Sequence, residues 1–211
     1  MKGAIFDVDG TLLDSMPVWW RASERFFAGH NIEVTSERFA EFKEMRLDDS
    51  LPLIRDEFKL DMSISDMISE FRRLAAEEYR VSVQLKPYAK EYMEKLRNDG
   101  VKIAIATSGY EGLCKSAFER LGVWDYIDAR AFSDEVGVDK SNPDIFLLAA
   151  KRIGVNPSEC VVYEDIVAGI SGAKKGGFKT CAVFDESNAD DTATLKQLAD
   201  TYISSWSELL K

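Results

Sequence analysis

From residue 87 onward, the chain alternates between short apolar runs and amphipathic segments that end at glycines. Runs such as Val101–Ala106 and Cys160–Tyr163 are short and rich in small or β-branched apolar residues, which predicts buried strands. Segments such as Asp144–Ile153 carry apolar residues at the spacing of one helix face and precede a glycine, which predicts helices. Strands and helices that alternate through short links build a parallel sheet covered on both faces. The sequence therefore predicts an α/β fold with a doubly wound parallel sheet.

The same patterns place the individual elements of this sheet and its helices. Strands are predicted at Ala4–Phe6, Val101–Ala106, Tyr126–Phe132, Cys160–Tyr163, Lys179–Phe184 and Thr201–Ser204. Helices are predicted at Tyr88–Asn98, Gly112–Leu121, Asp144–Ile153, Ile166–Lys175 and Thr192–Ala199.

Residues 15–86 differ from the rest, because charged and apolar positions there follow a helical period throughout. Four helices are predicted, at Val18–Phe27, Ser36–Met45, Ser50–Phe58 and Ser65–Tyr79, and no strand. We therefore expect a core domain of residues 1–14 and 87–211, with residues 15–86 forming an inserted helical domain.

Two carboxylates, Asp7 and Asp9, stand where the first apolar run ends. At period-two spacing they would point the same way if the strand continued. Gly10 then permits a sharp turn of the backbone, and Thr11 adds a hydroxyl. Buried carboxylates are costly unless a cation or hydrogen bonds meet them. The arrangement suits a hard cation such as Mg²⁺, which in turn suits a phosphate.

Three further polar sets follow strands or open helices. Each alone has an ordinary structural explanation: a helix cap, a solvated lysine, or acids at a helix N-terminus. Because ligands of open α/β sheets bind beyond the carboxyl ends of the strands, we expect these sets to converge with Asp7 and Asp9. The sets are Thr107 with Ser108 and Gly109, then Lys140, and then Glu164 with Asp165.

Composition narrows the classes of partner. A formal net charge of −10 argues against nucleic acid and anionic membranes, although a local metal and lysine can still attract a small phosphorylated metabolite. The three cysteines show no metal-binding or disulfide spacing, which favours reduced thiols in the cytoplasm. The start of the sequence lacks a signal-peptide pattern, and no run approaches the length of a membrane helix. No heptad pattern demands a dimer, so we expect a cytoplasmic monomer.

Together these stretches resemble the four motifs of the haloacid dehalogenase-like (HAD) hydrolases, in the same order. They are Asp7-Val-Asp9-Gly10-Thr11, Thr107-Ser-Gly, Lys140-Ser-Asn-Pro-Asp-Ile-Phe146 and Glu164-Asp165 with the following helix. The resemblance extends over residues 2–204 and points to the branch that holds phosphatases and beta-phosphoglucomutase-like enzymes. It implies a Rossmann-like core with a small all-helical cap.

Carried over by position, the resemblance implies a phosphoric monoester hydrolase. Asp7 would be the nucleophile that forms an aspartyl-phosphate, and Asp9 the general acid and then the base. Asp7, the backbone carbonyl of Asp9 and Asp165 would hold Mg²⁺, with Glu164 in support. The phosphoryl group would be bound by Thr107, Ser108 and Lys140. The implied substrate is a small phosphorylated metabolite such as a sugar phosphate.

Departures from the family pattern bear on the choice between hydrolysis and transfer. Mutases of the beta-phosphoglucomutase type place a histidine where this chain has Trp19, and its one histidine, His30, lies beyond the predicted first helix. This favours a phosphatase over a sugar-phosphate mutase. A catalytically idle binding protein is the third alternative, which the retained acids and Lys140 do not support. The expected substrate-specificity residues of the helical domain are Trp19, Lys43 and Arg46. The last two lie in the segment Lys43-Glu-Met-Arg-Leu47, where relatives usually carry a glycine.

Overall fold

The computed structural model describes residues 1–43, 45 and 47–211, which fall into two compact units. Residues 1–15 and 83–211 form the core unit, and residues 16–82 form the helical unit. The division into folding domains at residues 15 and 86 stays a prediction. Among the described helices, none is both long enough and apolar enough to cross a lipid bilayer.

A parallel sheet of six strands lies at the centre of the core unit and confirms the predicted α/β fold class. The described strands are β1 (Gly3–Phe6), β2 (Leu13–Asp14), β3 (Gln84–Leu85), β4 (Lys102–Thr107), β5 (Ala129–Phe132), β6 (Cys160–Glu164), β7 (Lys179–Val183) and β8 (Thr201–Ile203). The sheet order is β5-β4-β1-β6-β7-β8. The chain thus fills one side of β1 and then the other, so the switch point lies between β1 and β6. Phe6 is in register with Tyr163, which brings the ends of these two strands together.

Helices cover both faces of the sheet. They are α5 (Ala89–Asn98), α6 (Glu111–Leu121), α7 (Ser133–Val136), α8 (Asp144–Ile153), α9 (Val167–Lys175) and α10 (Thr192–Leu198), after four helices of the other unit, α1 (Met16–Gly29), α2 (Ser36–Lys43), α3 (Leu47–Glu57) and α4 (Ile64–Val81). Neighbouring residues of a strand point to opposite faces. Accordingly, Ile5 packs in one cluster with Ile145 and Phe146 of α8, whereas Phe6 contacts the rings of Tyr92 and Trp206.

Three sequence predictions about strands are corrected. The strand predicted from Tyr126 begins at Ala129, because a 3-10 turn at Trp124–Tyr126 comes first and Asp128 accepts a 2.8 Å hydrogen bond from the amide of Ile103. Thr107 is the last residue of β4 rather than the first residue after it. The antiparallel ribbon of β2 and β3 was not predicted, since two-residue strands carry no periodicity.

The helical unit is held by its own aromatic core. Phe26, Phe27, Phe42 and Phe71 are all buried there, and the rings of Phe26 and Phe71 stack with centroids 4.5 Å apart. Helix α4 is capped by Ser63, whose hydroxyl accepts a hydrogen bond from an amide of the first turn. This unit therefore buries a hydrophobic cluster without using the central sheet.

Candidate active site

The turn after β1 places Asp7 inside the protein. Asp7 is 5% exposed, and its amide donates to the carbonyl oxygen of Tyr163 at 2.9 Å. Gly10 has φ +85°, and a Cβ atom at this position would stand 2.4 Å from Oδ2 of Asp165. Both features require glycine, because other residues rarely adopt this backbone conformation and none would fit against the carboxylate. The turn therefore brings the end of strand β1, which Asp7 follows, next to Asp165.

Asp9 occupies a different environment from Asp7. It is half-buried, and Oγ of Ser15 donates to its Oδ1 at 2.7 Å. On the other side, a Cβ atom at Gly109 would lie 2.9 Å from its Oδ2. Sequence reasoning placed Gly109 in a set expected to converge with Asp9, but it missed Ser15, which has no spacing signal that links it to the acid. Asp9 thus retains solvent access that Asp7 lacks.

Lys140 joins two of the predicted acids. Its Nζ donates to Oδ1 of Asp7 and, at 2.7 Å, to Oε1 of Glu164. Burial acts to lower the pKa of Lys140, but the charges of Asp7 and Glu164 outweigh it and raise that pKa above its ordinary value. A Cβ atom at Gly172 would lie 2.0 Å from the carbonyl oxygen of Lys140, so α9 packs directly on the lysine loop. Lys140 is therefore a fixed, fully charged ammonium rather than a solvated one.

Glu164 is fully buried, and contacts account for both of its carboxylate oxygens. Oε1 accepts from Lys140, and Oε2 accepts from the amides of Asp165 at 2.9 Å and Ile166 at 3.0 Å. Gly169 is required here, because a Cβ atom would lie 2.3 Å from the carboxylate. These contacts assign Glu164 to holding Lys140 and the start of α9, where a negative charge is favourable.

Asp165 completes the cluster and is held by neutral donors. Oγ1 of Thr11 donates to its Oδ1 at 2.9 Å, and Nδ2 of Asn188 donates to its Oδ2 at 2.7 Å. Burial raises the pKa of Asp165 well above its ordinary value, and the charges of Glu164 and Asp7 raise it further. No sequence pattern pointed to Asn188, which comes from a turn far along the chain.

The acidic cluster has the chemistry of a divalent-cation site. Ligand oxygens of Asp7, Glu164 and Asp165 all lie within 4.8 Å of one another. At that separation each pair of charges repels by roughly 3–4 kcal/mol for an effective dielectric near 20. One ammonium, Lys140, cannot offset three carboxylates, so the cluster fits a hard cation that prefers oxygen ligands, as Mg²⁺ does. The side chain of Asp9 is not part of this described cluster.

The two residues predicted to bind phosphate differ in exposure. Thr107 is buried, and its Oγ1 accepts a 2.9 Å hydrogen bond from the amide of Gly109. Ser108 is exposed, with its hydroxyl 3.0 Å from that of Ser133. The turn at Gly109 therefore lies beside Asp9, while the roles of both hydroxyls stay predictions.

The predicted specificity residues cannot be placed. Arg46 lies outside the described residues, and so do the side chains of Trp19 and Lys43. His30 is described: its Nε2 lies 3.0 Å from Oε2 of Glu70, and its ring packs against Phe26. These contacts give His30 a structural place within the helical unit.

The close approach of Gly109 to Asp9 makes a testable prediction. Gly109→Ala is expected to lower kcat about tenfold or more with little loss of stability, because the added methyl group displaces the Asp9 carboxylate, and a shift of about 1 Å can cost 10²-fold in rate. Steady-state kinetics and thermal unfolding measure the two effects.

Gly112→Ala is the matched control, since nothing lies within 4 Å of its added Cβ atom and the site is in helix α6. It should retain activity and gain about 0.5–1 kcal/mol of stability. Equal activity of the two variants would show that the Asp9 position does not limit the reaction.

Comparison with known proteins agrees with this geometry. A family model described as haloacid dehalogenase-like hydrolase matches residues 1–177. A phosphorylated carbohydrates phosphatase of Thermotoga maritima is 29% identical over 183 residues, which cover 85% of this chain and 83% of that protein. Hexitol phosphatase A of Escherichia coli is 30% identical over 184 residues, which cover 86% of this chain and 82% of that protein. A Thermotoga maritima crystal structure assigned as a beta-phosphoglucomutase has a TM-score of 0.89 at 25% identity, covering 100% of this chain and 97% of that one.

Proposed function

The chain belongs to the haloacid dehalogenase-like hydrolases, and we propose that it is a Mg²⁺-dependent phosphatase of small phosphorylated metabolites of the sugar-phosphate class. The observation that carries the proposal is the buried ammonium of Lys140, which contacts Asp7 and Glu164 beside Asp165. A phosphorylated carbohydrates phosphatase and a hexitol phosphatase among the relatives support the substrate class.

In the proposed first step, a carboxylate oxygen of Asp7 attacks the phosphorus atom of the ester. The bond from phosphorus to the ester oxygen breaks, and the leaving alkoxide takes a proton from the Asp9 carboxylic acid. The product is an alcohol and an aspartyl-phosphate on Asp7. Asp7 suits this role because Lys140 orients it and burial excludes competing water.

In the second step, Asp9 accepts a proton from a water molecule, and the resulting hydroxide attacks the phosphorus of the aspartyl-phosphate. The acyl-phosphate bond breaks, which releases inorganic phosphate and restores the Asp7 carboxylate. Asp9 suits both steps because it is half-buried rather than enclosed, and Ser15 holds one of its oxygens. Lys140 and the amides after β4 would stabilise charge on the phosphoryl oxygens.

Asp7 and Asp165 are the proposed side-chain ligands of Mg²⁺, together with the backbone carbonyl of Asp9. When bound, the ion supplies positive charge against the phosphoryl oxygens. Glu164 supports this site through Lys140 and the two amides rather than by direct ligation, since those donors already use its carboxylate.

The charge balance of the cluster predicts how metal affects stability. Without metal, Asp165→Asn is expected to raise Tm at pH 7 by about 2–4 °C for each kcal/mol of repulsion removed. The pKa of Asp165 is higher in the folded chain than its ordinary value of 3.8. The metal-free fold therefore binds this proton more tightly and loses stability as pH rises through the folded pKa. Thermal unfolding in EDTA between pH 4 and 8 measures both effects.

Added Mg²⁺ should reverse the order of stability of wild type and Asp165→Asn. Wild type is expected to gain Tm with increasing Mg²⁺ concentration, whereas Asp165→Asn should gain little. A wild-type Tm that does not respond to millimolar Mg²⁺ would contradict the metal assignment.

A sugar-phosphate mutase is the second candidate, favoured by the structural likeness to the protein assigned as a beta-phosphoglucomutase. Trp19 at the position of the mutase histidine favours hydrolysis instead. A catalytically idle binding protein has no supporting feature, because Asp7, Asp9 and Lys140 are all retained.

One assay separates these functions. Wild type is incubated with sugar phosphates, hexitol phosphates, nucleotides and a chromogenic phosphate ester, with and without Mg²⁺. Release of phosphate that requires Mg²⁺ supports the phosphatase. Conversion of hexose 1-phosphate to hexose 6-phosphate without free phosphate would support the mutase, and binding without turnover would support the idle protein.

We further propose that the protein is a monomer in the cytoplasm. The three buried free thiols favour this compartment, because it keeps cysteines reduced.

A further inference from the structure

The proposed metal ligand Asp165 receives a contact from outside the part of the chain that the family model matches. Asn188 lies beyond residues 1–177, yet its Nδ2 donates to Oδ2 of Asp165 at 2.7 Å. Asp165 itself is 3% exposed. The contact therefore connects a late surface turn to a buried carboxylate.

The turn that carries Asn188 is built to hold one side chain inward. It is the 3-10 segment Glu186–Asp191, and its helical backbone is broken at Asn188, with φ −118° and ψ 24°. Ser187 and Ala189 on either side are exposed, whereas Asn188 is half-buried. The break in the helix thus coincides with the one contact that this segment makes to the acidic cluster in the described structure.

Contacts of the residue that begins the turn also hold its backbone in place. Asp185 begins it, accepting from the amide of Ser187 at 2.9 Å, and its backbone carbonyl accepts from the amide of Asn188 at 3.1 Å. The Asp185 carboxylate in turn pairs with Nζ of Lys86 at 2.7 Å, and both side chains are largely buried. These contacts restrict the backbone of Asn188, so its amide is a fixed donor rather than a surface group that happens to reach the acid.

The type of donor distinguishes Asp165 from the other two acids. Asp7 and Glu164 share the ammonium of Lys140, which offsets part of their charge. In the described structure, the donors to the Asp165 carboxylate are neutral: the hydroxyl of Thr11 and the amide of Asn188. A neutral donor fixes a carboxylate without removing the charge that attracts a cation. Such outer contacts orient metal ligands, and their loss typically weakens metal binding by about 10–100-fold.

We propose that Asn188 is a positioning residue, which orients the Asp165 carboxylate for Mg²⁺ and so sets the affinity of the site for the metal. The proposal rests on the metal site of the proposed function. It gives a role in that site to a turn that lies beyond residues 1–177, the part of the chain that the family model matches.

Direct Mg²⁺ titration by calorimetry tests the proposal on the full chain. Asn188→Ala and Asn188→Leu both remove the donor, and leucine retains most of the volume. The Kd for Mg²⁺ is expected to rise about 10–100-fold in both variants. The Mg²⁺ concentration that gives half-maximal activity should rise by the same factor. Thermal unfolding in EDTA fixes a temperature at which every variant is folded for the titration.

Asn156→Ala is the matched control, because the Asn156 amide also faces a carboxylate, Glu159, but at 3.4 Å on the exposed surface. Its Kd for Mg²⁺ should equal that of wild type. A Kd within about twofold of wild type in either Asn188 variant would overturn the positioning role. The contact between Asn188 and Asp165 would then contribute only packing, or nothing, and would not set the metal affinity. If wild type itself fails to bind Mg²⁺, the proposed metal site is wrong, which is a separate result.

Discussion

Asp7→Asn is expected to lower kcat by about 10⁴-fold or more, because the variant lacks the nucleophile on which both proposed steps depend. Asparagine retains the shape of the side chain and one oxygen that can accept from Lys140. The fold should therefore persist, and the loss should appear in the chemistry. Phosphate release from the best substrate of the panel, measured with saturating Mg²⁺, gives the ratio.

Asp14→Asn is the control for this change, since Asp14 is an exposed acid in the nearby strand β2. It should keep wild-type activity. A crystal soaked with beryllofluoride and Mg²⁺ should show the adduct on Asp7 and not on Asp9. Turnover by Asp7→Asn within about tenfold of wild type would falsify the nucleophile assignment.

Lys140→Met is expected to have the largest effect on stability and a large effect on activity. The substitution removes the Lys140 ammonium, which pairs with two carboxylates of the buried three-carboxylate cluster. Removing one partner of a buried ion pair typically costs about 3–5 kcal/mol, because the remaining charge is left uncompensated. Urea unfolding in EDTA measures the free energy of unfolding. Phosphate release should fall by about 10²-fold or more, since the same ammonium is proposed to stabilise the transferring phosphoryl group.

Lys95→Met provides the comparison, because the Lys95–Asp99 pair is exposed and its residues are four apart at the end of helix α5. Such pairs contribute about 0.3–0.5 kcal/mol. If Lys140→Met unfolded at the same urea concentration as Lys95→Met, the ammonium would not be compensating the buried acids. Partial recovery of Lys140→Met stability by Mg²⁺ is expected, because the ion replaces part of the missing positive charge.

Most of the fold could be predicted from the sequence, since it follows from local pattern. Apolar runs of strand length alternated with amphipathic segments closed by glycines, and helix α8 was predicted at its observed bounds, Asp144–Ile153. Errors occurred where side-chain contacts from distant residues decided the backbone. The turn before β5, where Asp128 binds the amide of Ile103, is one such place.

Only part of the candidate site could be predicted from the sequence in the same way. Asp7, Lys140, Glu164 and Asp165 could be predicted to converge, because each follows a strand or opens a helix at one edge of a parallel sheet. The sequence could not be used to predict which acid pairs with which donor. The structure gives Lys140 to Asp7 and Glu164 and leaves Asp165 with neutral donors.

By itself, then, the sequence determined the α/β class, the acids at the strand ends and the family. Hydrophobic period and glycine positions act over a few residues, and so they are readable along the chain. Only the tertiary structure decided that Ser15 holds Asp9, that Gly109 packs against it and that Asn188 holds Asp165. These are contacts between side chains from separate turns, and they form only when the sheet brings those turns together.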